Sequence, residues 1–412
     1  MIVERPWRVL SGVFAVYAAF GLLMASSGAL VPSIREDLGL SRSQMGVVLG
    51  AWQFAYIGAS IPCGRLIDRI GLRRALLVCT TIMGGSMLFR STASGFGSLL
   101  LWVGVFGIGA PIVSIAAPKA AAVLFEGAER RRAVGIYGMS PTLGSAIALA
   151  TANSVVAPLV GDTWQGVTVA FGVIGLLAGG YWWWASATLD GSVPAPAPTA
   201  SVRQLLAVPV VRAVLVIAMT SFVFVHGIGQ WLVDLLSSEG RSVEAAGYWT
   251  SAGSLMGMMG TLLIPRVATA GRRVAVLSSL LVFGGVAATA LLAATDSWLA
   301  LPLAVNAVAR SATMPIAMLI LMDHERVGPD NMAGAGSLFF TAAQVGGVFG
   351  PWLTGVLADG DAGFQAALWT HGALMVALAV FVFVVVPRAA GVPRLPRARI
   401  LAAETVRQPE ER

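Results

Sequence analysis

The sequence carries very little charge for its length. Only 11% of its 412 residues are Asp, Glu, Lys or Arg, whereas soluble globular domains have about 25%. With 57% hydrophobic residues, the chain cannot cover a water-facing surface. This composition excludes a disordered protein, a nucleic-acid-binding domain and a soluble enzyme, and it indicates a polytopic membrane protein.

Residues that bind metals or form disulfides are also scarce. Cys63 and Cys79 cannot build a disulfide framework, and neither belongs to a cluster with metal-ligand spacing. Three histidines leave little for a metal enzyme. A phosphate-binding loop of the form G-x-x-x-x-G-K-[ST] is missing, so ATP-driven pumping has no support. We therefore predict no metal, no cofactor and no enzymatic activity.

Apolar runs long enough to cross a bilayer recur along the chain. A helix needs about 20 apolar residues to cross ~30 Å of hydrocarbon. Twelve such runs, numbered here as spans 1 to 12, cover residues 9–31, 44–66, 74–94, 97–122, 133–158, 164–188, 209–234, 244–265, 273–294, 297–321, 333–357 and 363–386. The first is too long for a signal peptide and lacks a cleavage site, so we interpret it as an uncleaved span.

Basic residues fall mostly on one side of these spans. With the N-terminus in the cytoplasm, nearly all of the 27 lie on the cytoplasmic side. The exceptions are Arg35, Arg42, Arg90 and Arg241 on the outer side and Arg310 within a span. The positive-inside rule then places both termini in the cytoplasm. This distribution explains the net charge of +7 without a nucleic-acid partner, and it predicts that the basic tail contacts anionic lipid.

A Pro/Ala-rich polar segment divides the spans into two sets of six. We predict an N-terminal bundle at 1–188, a cytoplasmic linker at 189–208, a C-terminal bundle at 209–387 and a basic cytoplasmic tail at 388–412. Similar turns follow span 2 (residues 71–73, GLR) and span 8 (residues 271–273, GRR). These echoes favour duplication of a six-helix unit. The alternative is that all cytoplasmic turns attract Gly and Arg.

The turn after span 2 reads GRLIDRIGLRRAL at residues 64–76. It resembles the loop between spans 2 and 3 of the major facilitator superfamily, with matches at Gly64, Leu66, Asp68, Arg69, Gly71, Arg73 and Leu76. The glycines allow tight turns. Over nearly the whole chain, the resemblance implies an all-α fold of two six-helix bundles around a central cavity, and alternating access.

The same resemblance implies a gating role for Gly64, Asp68, Arg69, Gly71 and Arg73. In a rocking transporter, their charges would form a clamp at the inner side that stabilises the outward-open state. The alternative is that these arginines only set the topology.

A narrower resemblance concerns residues 107–138, 306–323 and 335–359, which are similar to the cyanate-permease-type branch, close to the nitrate/nitrite porters. Nitrate porters carry arginines in the middle of spans 2 and 8. These spans have none here, which argues against nitrate. The drug-antiporter motif G-P-x-x-G-G of span 5 survives only as SPTLGS at 140–145, which argues against multidrug efflux.

One charge lies deep inside a span. Arg310 is more than two turns from either end of span 10, and Asn306 lies one turn away on the same face. An intramembrane charge is costly and usually faces a cavity, and a guanidinium can bind a carboxylate through two hydrogen bonds. We predict that both residues bind an anionic substrate. The alternative is a structural partner, although no acidic residue lies in the middle of another span.

Further polar residues complete the predicted cavity. Lys119 lies in the inner part of span 4, where snorkelling to the cytoplasm is the alternative. His226, Gln230 and Asp234 form a stripe along span 7 toward the outer mouth. His226 is a candidate proton carrier, with a hydrogen-bonded packing histidine as the alternative. The remaining predicted contacts are Gln53, Tyr137 and Gln344.

Two features are assigned instead to the membrane–water interface. Arg90 lies near the outer end of span 3, and Trp182 to Trp184 lie at the inner end of span 6, as an aromatic belt.

The sequence therefore predicts a monomeric secondary active transporter of the plasma or inner membrane that moves a small organic or inorganic anion. Coupling stays open between proton symport through His226, anion exchange and uniport. The main alternative is efflux of hydrophobic drugs or metabolites by proton antiport, for which Arg310 would be dispensable. A membrane enzyme would have only the set Asp323, His324 and Glu325 at a cytoplasmic turn.

Overall fold

The computed structural model describes residues 5–189 and 201–389, with the backbone alone at 328–330 and 333. The described residues are almost entirely helical. The helices are α1 Pro6–Ala29, α2 Val31–Leu38, α3 Arg42–Arg90, α4 Phe96–Leu124, α5 Gly127–Thr151, α6 Ala157–Leu159, α7 Trp164–Ala185, α8 Val202–Leu206, α9 Pro209–Gly229, α10 Leu232–Ser238, α11 Val243–Val267, α12 Arg273–Ala290, α13 Ala300–Met322, α14 Gly328–Ala358 and α15 Phe364–Ala389. A π-helical turn at Ala152–Val156 precedes α6, and 3-10 turns at Ala270–Arg272 and Leu291–Ala293 flank α12.

Twelve membrane crossings fit these helices. In the described part of the chain, nine helices are long and apolar enough to cross a membrane. One of them, α3, contains two crossings, because its 49 residues are broken at Gly71 (φ 78°, ψ 164°), a conformation that glycine adopts without strain. α11 and α14, with 25 and 31 residues, are long enough to be the last two. The predicted all-α fold of twelve spans is confirmed.

Each half is held together by close helix pairs at equivalent places. In the N-terminal half, α1 packs on α5, and in the C-terminal half, α9 packs on α14. A Cβ atom at Gly144 would overlap the carbonyl oxygen of Ala18, and one at Gly346 would overlap that of Met219. Small residues at such positions let two backbones approach, which is how membrane helices gain packing energy.

The two halves touch at the outer side and separate at the inner side. α3 packs on α14 and α5 packs on α11 across the junction. Near the outer side, the Ser251 hydroxyl donates to the carbonyl of Ala146 at 2.8 Å. Toward the inner side, a cavity of about 210 Å³ separates the same two helices, with Gly138 and Met258 among the residues that line it. The two halves therefore pack most closely toward the outer side, and α5 and α11 diverge toward the inner side.

The predicted linker and tail are only partly covered. Residues 190–200 of the linker and residues 390–412 of the tail lie outside the described residues. The end of the predicted linker forms the short helix α8, whose first turn is capped by Ser201 and Gln204. The domain boundaries stay a prediction.

The assignment to the membrane interface is wrong for Trp182 and for Arg90. The Trp182 side chain is fully buried, and its indole N–H donates to the carbonyl of Arg73 at 2.9 Å. Only Trp183 and Trp184 are exposed. Arg90 is 1% exposed and donates to the Ser27 hydroxyl at 2.7 Å. Both side chains point into the N-terminal bundle, where neighbouring helices cover them. An apolar run in the sequence does not show which face of a helix meets a neighbour.

Candidate functional site

Arg310 lies on α13 in the C-terminal half, held by neutral groups. Its Nε donates to Asn306 Oδ1 at 2.8 Å, and Asn306 in turn donates to the carbonyl of Gly284 at 3.3 Å. The Nη1 group makes a long contact of 3.4 Å with the carbonyl of Val225 on α9. Within the described residues, no carboxylate pairs with Arg310. Asn306 therefore orients a guanidinium that keeps hydrogen-bonding capacity for a ligand.

The end of α9 leaves space for this guanidinium. A Cβ atom at Gly229 would lie 2.5 Å from Arg310 Nη1. α9 stops at Gly229 and α10 starts at Leu232, so the chain breaks its helix beside the charge. Irregular backbone at membrane depth is tolerated where it is buried in protein or lines a cavity.

His226 connects this region to the N-terminal half. Gln230 Nε2 lies 3.1 Å from His226 Nδ1. With the Gln230 amide in this orientation, its nitrogen donates to Nδ1 and the imidazole proton lies on Nε2. The His226 ring lies 5.9 Å from the ring of Trp52, which belongs to α3. A histidine of one half thus contacts an aromatic residue of the other.

Two glutamines near this junction have unpaired amide atoms. Gln53 is fully buried, and neither its Oε1 nor its Nε2 has a hydrogen-bond partner in the described residues. A Cβ atom at Gly347 would lie 3.1 Å from Gln53 Cγ and 3.3 Å from His226 Cδ2. Gln344, one turn earlier on α14, has an unpaired buried Oε1. Buried polar groups are nearly always paired, so these atoms are ready to bond a ligand.

We call Arg310, Asn306, His226, Gln230, Gln53 and Gln344 the central polar group. Its N-terminal side adjoins an aromatic wall to which the predicted residue Tyr137 belongs. Tyr137 stacks on Tyr17 with ring centroids 6.3 Å apart, and Phe20 links Tyr17 to Trp52. The arrangement places hydrogen-bonding groups and a cation beside an apolar wall, which suits a small solute with one charged end.

Lys119 does not belong to the central polar group. Its Nζ lies 2.7 Å from Asp68 Oδ1, so the structure places it with the motif after span 2. Lys119 lies near the inner end of α4, and α4 packs along α3, which brings it beside the turn at Gly71.

The other motif residues have different surroundings. Arg73 Nη2 donates to the carbonyl of Trp183 at 3.2 Å and lies over its ring. Arg69 is exposed and joins no ion pair within the described residues. The predicted turn at Gly64 is wrong, since α3 continues through it and no atom crowds its missing Cβ. The gating role of these residues stays a prediction.

The C-terminal half has an equivalent ion pair with the charges exchanged. Arg273 at the start of α12 pairs with Asp323 at the end of α13. Its Nη1 also donates to the carbonyl of Leu319 at 2.8 Å. Asp323 is thereby part of a structural contact at the inner side, as Asp68 is in the other half.

A second set of charges, which the sequence did not pair, joins the halves at the outer side. Asp234 on α10 accepts from Arg35 at 3.3 Å and from Arg42 at 3.1 Å. Asp359, after α14, accepts from the backbone N–H groups of Arg42 and Ser43, each at 2.8 Å. We call Arg35, Arg42, Asp234 and Asp359 the outer cluster. One feature of the sequence could have indicated this cluster: Arg35 and Arg42 lie on the outer side of the membrane, where arginine is otherwise scarce.

Two six-helix bundles that are bonded at the outer side, with a polar group at their junction, are the architecture of a membrane transporter that works by alternating access. The sequence profile of the Major Facilitator Superfamily matches residues 10–324 and 233–409. The chain belongs to this superfamily and is a multi-pass transport protein, not an enzyme.

Individual relatives agree with this assignment. The chain is 25% identical over 378 residues to the hexuronate transporter of Bacillus subtilis, covering 86% of this chain and 88% of that protein. It is 28% identical to a probable L-galactonate transporter of Escherichia coli, but the match spans only 33% of that protein. A bacterial homologue of the human lysosomal transporter Spinster, crystallised inward-facing and unoccupied, has the same fold: the TM-score is 0.77 at 16% identity, over 96% of this chain and 99% of that one.

Proposed function

We propose that this protein carries a small organic anion with a carboxylate group across the plasma or inner membrane, and that Arg310 binds the carboxylate. The observation behind the proposal is the guanidinium itself. It lies near the middle of α13, it is oriented by Asn306, and it has no carboxylate partner in the described residues. A charge in that position is costly unless an anion neutralises it during the transport cycle.

A substrate carboxylate would bind the guanidinium nitrogens of Arg310 that have only weak partners in the structure. A carboxylate could replace the 3.4 Å contact between Nη1 and the carbonyl of Val225 and bond two guanidinium nitrogens at once. The imidazole Nε2–H of His226 is a second donor, since its Nδ1 is occupied by Gln230. The rest of the solute would then face Gln53, Gln344 and the aromatic wall.

Transport would follow from where these groups lie. Arg310 and His226 belong to one half, and Gln53 and Trp52 belong to the other. A solute that bonds both sides favours the state in which they are close, which is the occluded state between inward-open and outward-open. Opening outward then requires the outer cluster to separate and the inner ends of α5 and α11 to meet.

The relatives support a carboxylate rather than a simpler anion. Two of them are named for hexuronate and L-galactonate, and both of these solutes are carboxylates. The likeness of residues 107–138 to the cyanate-permease-type branch is a narrower prediction that these names do not favour. We further propose that the transporter is a monomer in contact with membrane lipid, and that a proton or a second anion is the coupled solute.

The test is counterflow into proteoliposomes with a panel of small carboxylates, run with and without a pH gradient. Arg310→Gln should lower the rate of the best substrate at least about 100-fold, since bonds to a charged group are worth roughly 1.5–3 kcal/mol and both would be lost. Arg212→Gln, the same change at an exposed position on α9, should leave the rate unchanged. Hydrophobic-drug efflux that survives Arg310→Gln, with no carboxylate flux in the wild type, would favour the efflux alternative instead.

A further inference from the structure

A second arginine inside the membrane lacks a carboxylate partner. Arg90, the last residue of α3, is 1% exposed and lies in the N-terminal half, whereas Arg310 lies in the other half. Its side chain makes one hydrogen bond, from Nη1 to the Ser27 hydroxyl at 2.7 Å. The Nε–H group is buried with no partner in the described residues. Arg90 takes no part in the proposed transport steps.

Such a residue needs a negative charge nearby. A guanidinium keeps its proton in proteins, and a buried ion without a counter-charge is strongly destabilising. The only bonded partner here is a neutral hydroxyl, and no carboxylate of the described residues pairs with Arg90. An anion from outside the described residues would supply the missing counter-charge.

A neighbouring hydroxyl shows what kind of ligand would fit. Ser86 precedes Arg90 by one turn on the same face of α3, and its Oγ is buried without a partner. Ser27, which accepts from Arg90, can still donate its own proton. The three side chains therefore offer an N–H group and two O–H groups, with no carboxylate. Such a donor set suits an anion, and an anion held between α1 and α3 would have to be small.

We propose that Arg90, Ser27 and Ser86 bind a small inorganic anion of the chloride type in the N-terminal bundle, separate from the central polar group. The bound ion would neutralise Arg90 and fasten the outer end of α1 to the outer end of α3. Because it lies within one half, it would stabilise that bundle throughout the transport cycle without crossing the membrane.

The experiment is thermal unfolding of the full chain in lipid nanodiscs, in sodium chloride and in sodium gluconate at equal ionic strength. Chloride should raise the wild-type Tm in a saturable manner by about 2–4 °C. Arg90→Gln should abolish the response. Ser86→Ala, which is expected to fold normally, should require about tenfold more chloride for the half-maximal shift. Thr92→Ala, at an exposed hydroxyl just after α3, should respond like the wild type.

Three results would overturn the proposal. The first is a wild-type Tm that is the same in both salts, and the second is a Ser86→Ala variant that responds like the wild type. The third is a chloride response that the transported carboxylate abolishes by competition, which would assign Arg90 to the solute path. Arg310→Gln should keep the chloride response, so the result does not depend on the proposed transport function.

Discussion

Arg42 and Asp234 lie 192 positions apart in the chain and in opposite halves, yet their side chains form an ion pair at 3.1 Å. The Asp234 side chain is only 7% exposed, and it binds Arg35 as well. One buried carboxylate thus holds two arginines of the other half at the outer side. This bond must break whenever the transporter opens outward.

Asp234→Asn should therefore shift the transporter toward outward-open states. Removing the carboxylate weakens two charged contacts and leaves two arginines facing each other, which we expect to change the equilibrium about tenfold or more. Distances between spin labels at the outer ends of the two halves would measure the shift. Asp296→Asn is the matched control, because Asp296 pairs with Arg241 within the C-terminal half and should leave the distances unchanged.

The pKa of the neighbouring Asp359 predicts how closure of the outer side depends on pH. Slight burial raises the pKa of Asp359, but hydrogen bonds from Ser43 and from the backbone N–H groups of Ser43 and Arg42 outweigh it, so the pKa lies below its usual value. A carboxylate with a lowered pKa stabilises the outer-closed state fully at any pH above its usual pKa of ~4. This stabilisation is lost only as the pH falls through the lowered pKa.

The difference in outer spin-label distances between wild type and Asp359→Asn should accordingly be constant from pH 8 to pH 5. A difference that disappears as pH approaches 5 would show that this carboxylate takes up a proton in the working range. The outer cluster, rather than His226, would then be the first place to look for proton coupling.

Lys119 should affect conformational change rather than substrate affinity. Because it pairs with Asp68 at the inner side, Lys119→Gln should leave KM within about twofold while Vmax changes by up to about fivefold; Asp68 is half exposed, and such pairs contribute roughly 0–1 kcal/mol. Exchanging the two charges, Asp68→Lys with Lys119→Asp, should restore part of Vmax. Arg131→Gln, at an exposed inner position, is the control. A large rise in KM for Lys119→Gln would return this lysine to the substrate site.

The outcome for individual residues shows what the sequence could reveal. The pairs Arg310–Asn306 and His226–Gln230 are four positions apart, so helical periodicity was enough to bring them together. The pairs Lys119–Asp68, Arg42–Asp234 and Arg90–Ser27 depend on how separate helices pack. Hydropathy locates each span along the chain but does not tell which face meets which neighbour. Arg90 was misplaced for that reason.

The close packing of α1 on α5 can be tested at Gly144. A methyl group there would overlap the backbone of α1 at Ala18, so Gly144→Ala should destabilise the protein by about 1–3 kcal/mol through overpacking. Gly138→Ala on the same helix meets no atom within 4 Å and should be neutral or slightly stabilising, since alanine is the better helix former. Thermal unfolding in detergent checks both. Equal stability of the two variants would contradict the close approach of α1 and α5.

The central claim is that Arg310 recognises a negative charge, and equilibrium binding tests it most directly. The transported carboxylate and its neutral amide would be titrated into wild type and Arg310→Gln. We predict that the wild type binds the carboxylate at least about 30-fold more tightly than the amide, equivalent to roughly 2 kcal/mol for a charged bidentate contact, and that Arg310→Gln binds the two equally. A variant that keeps the wild-type preference for the carboxylate would contradict the account.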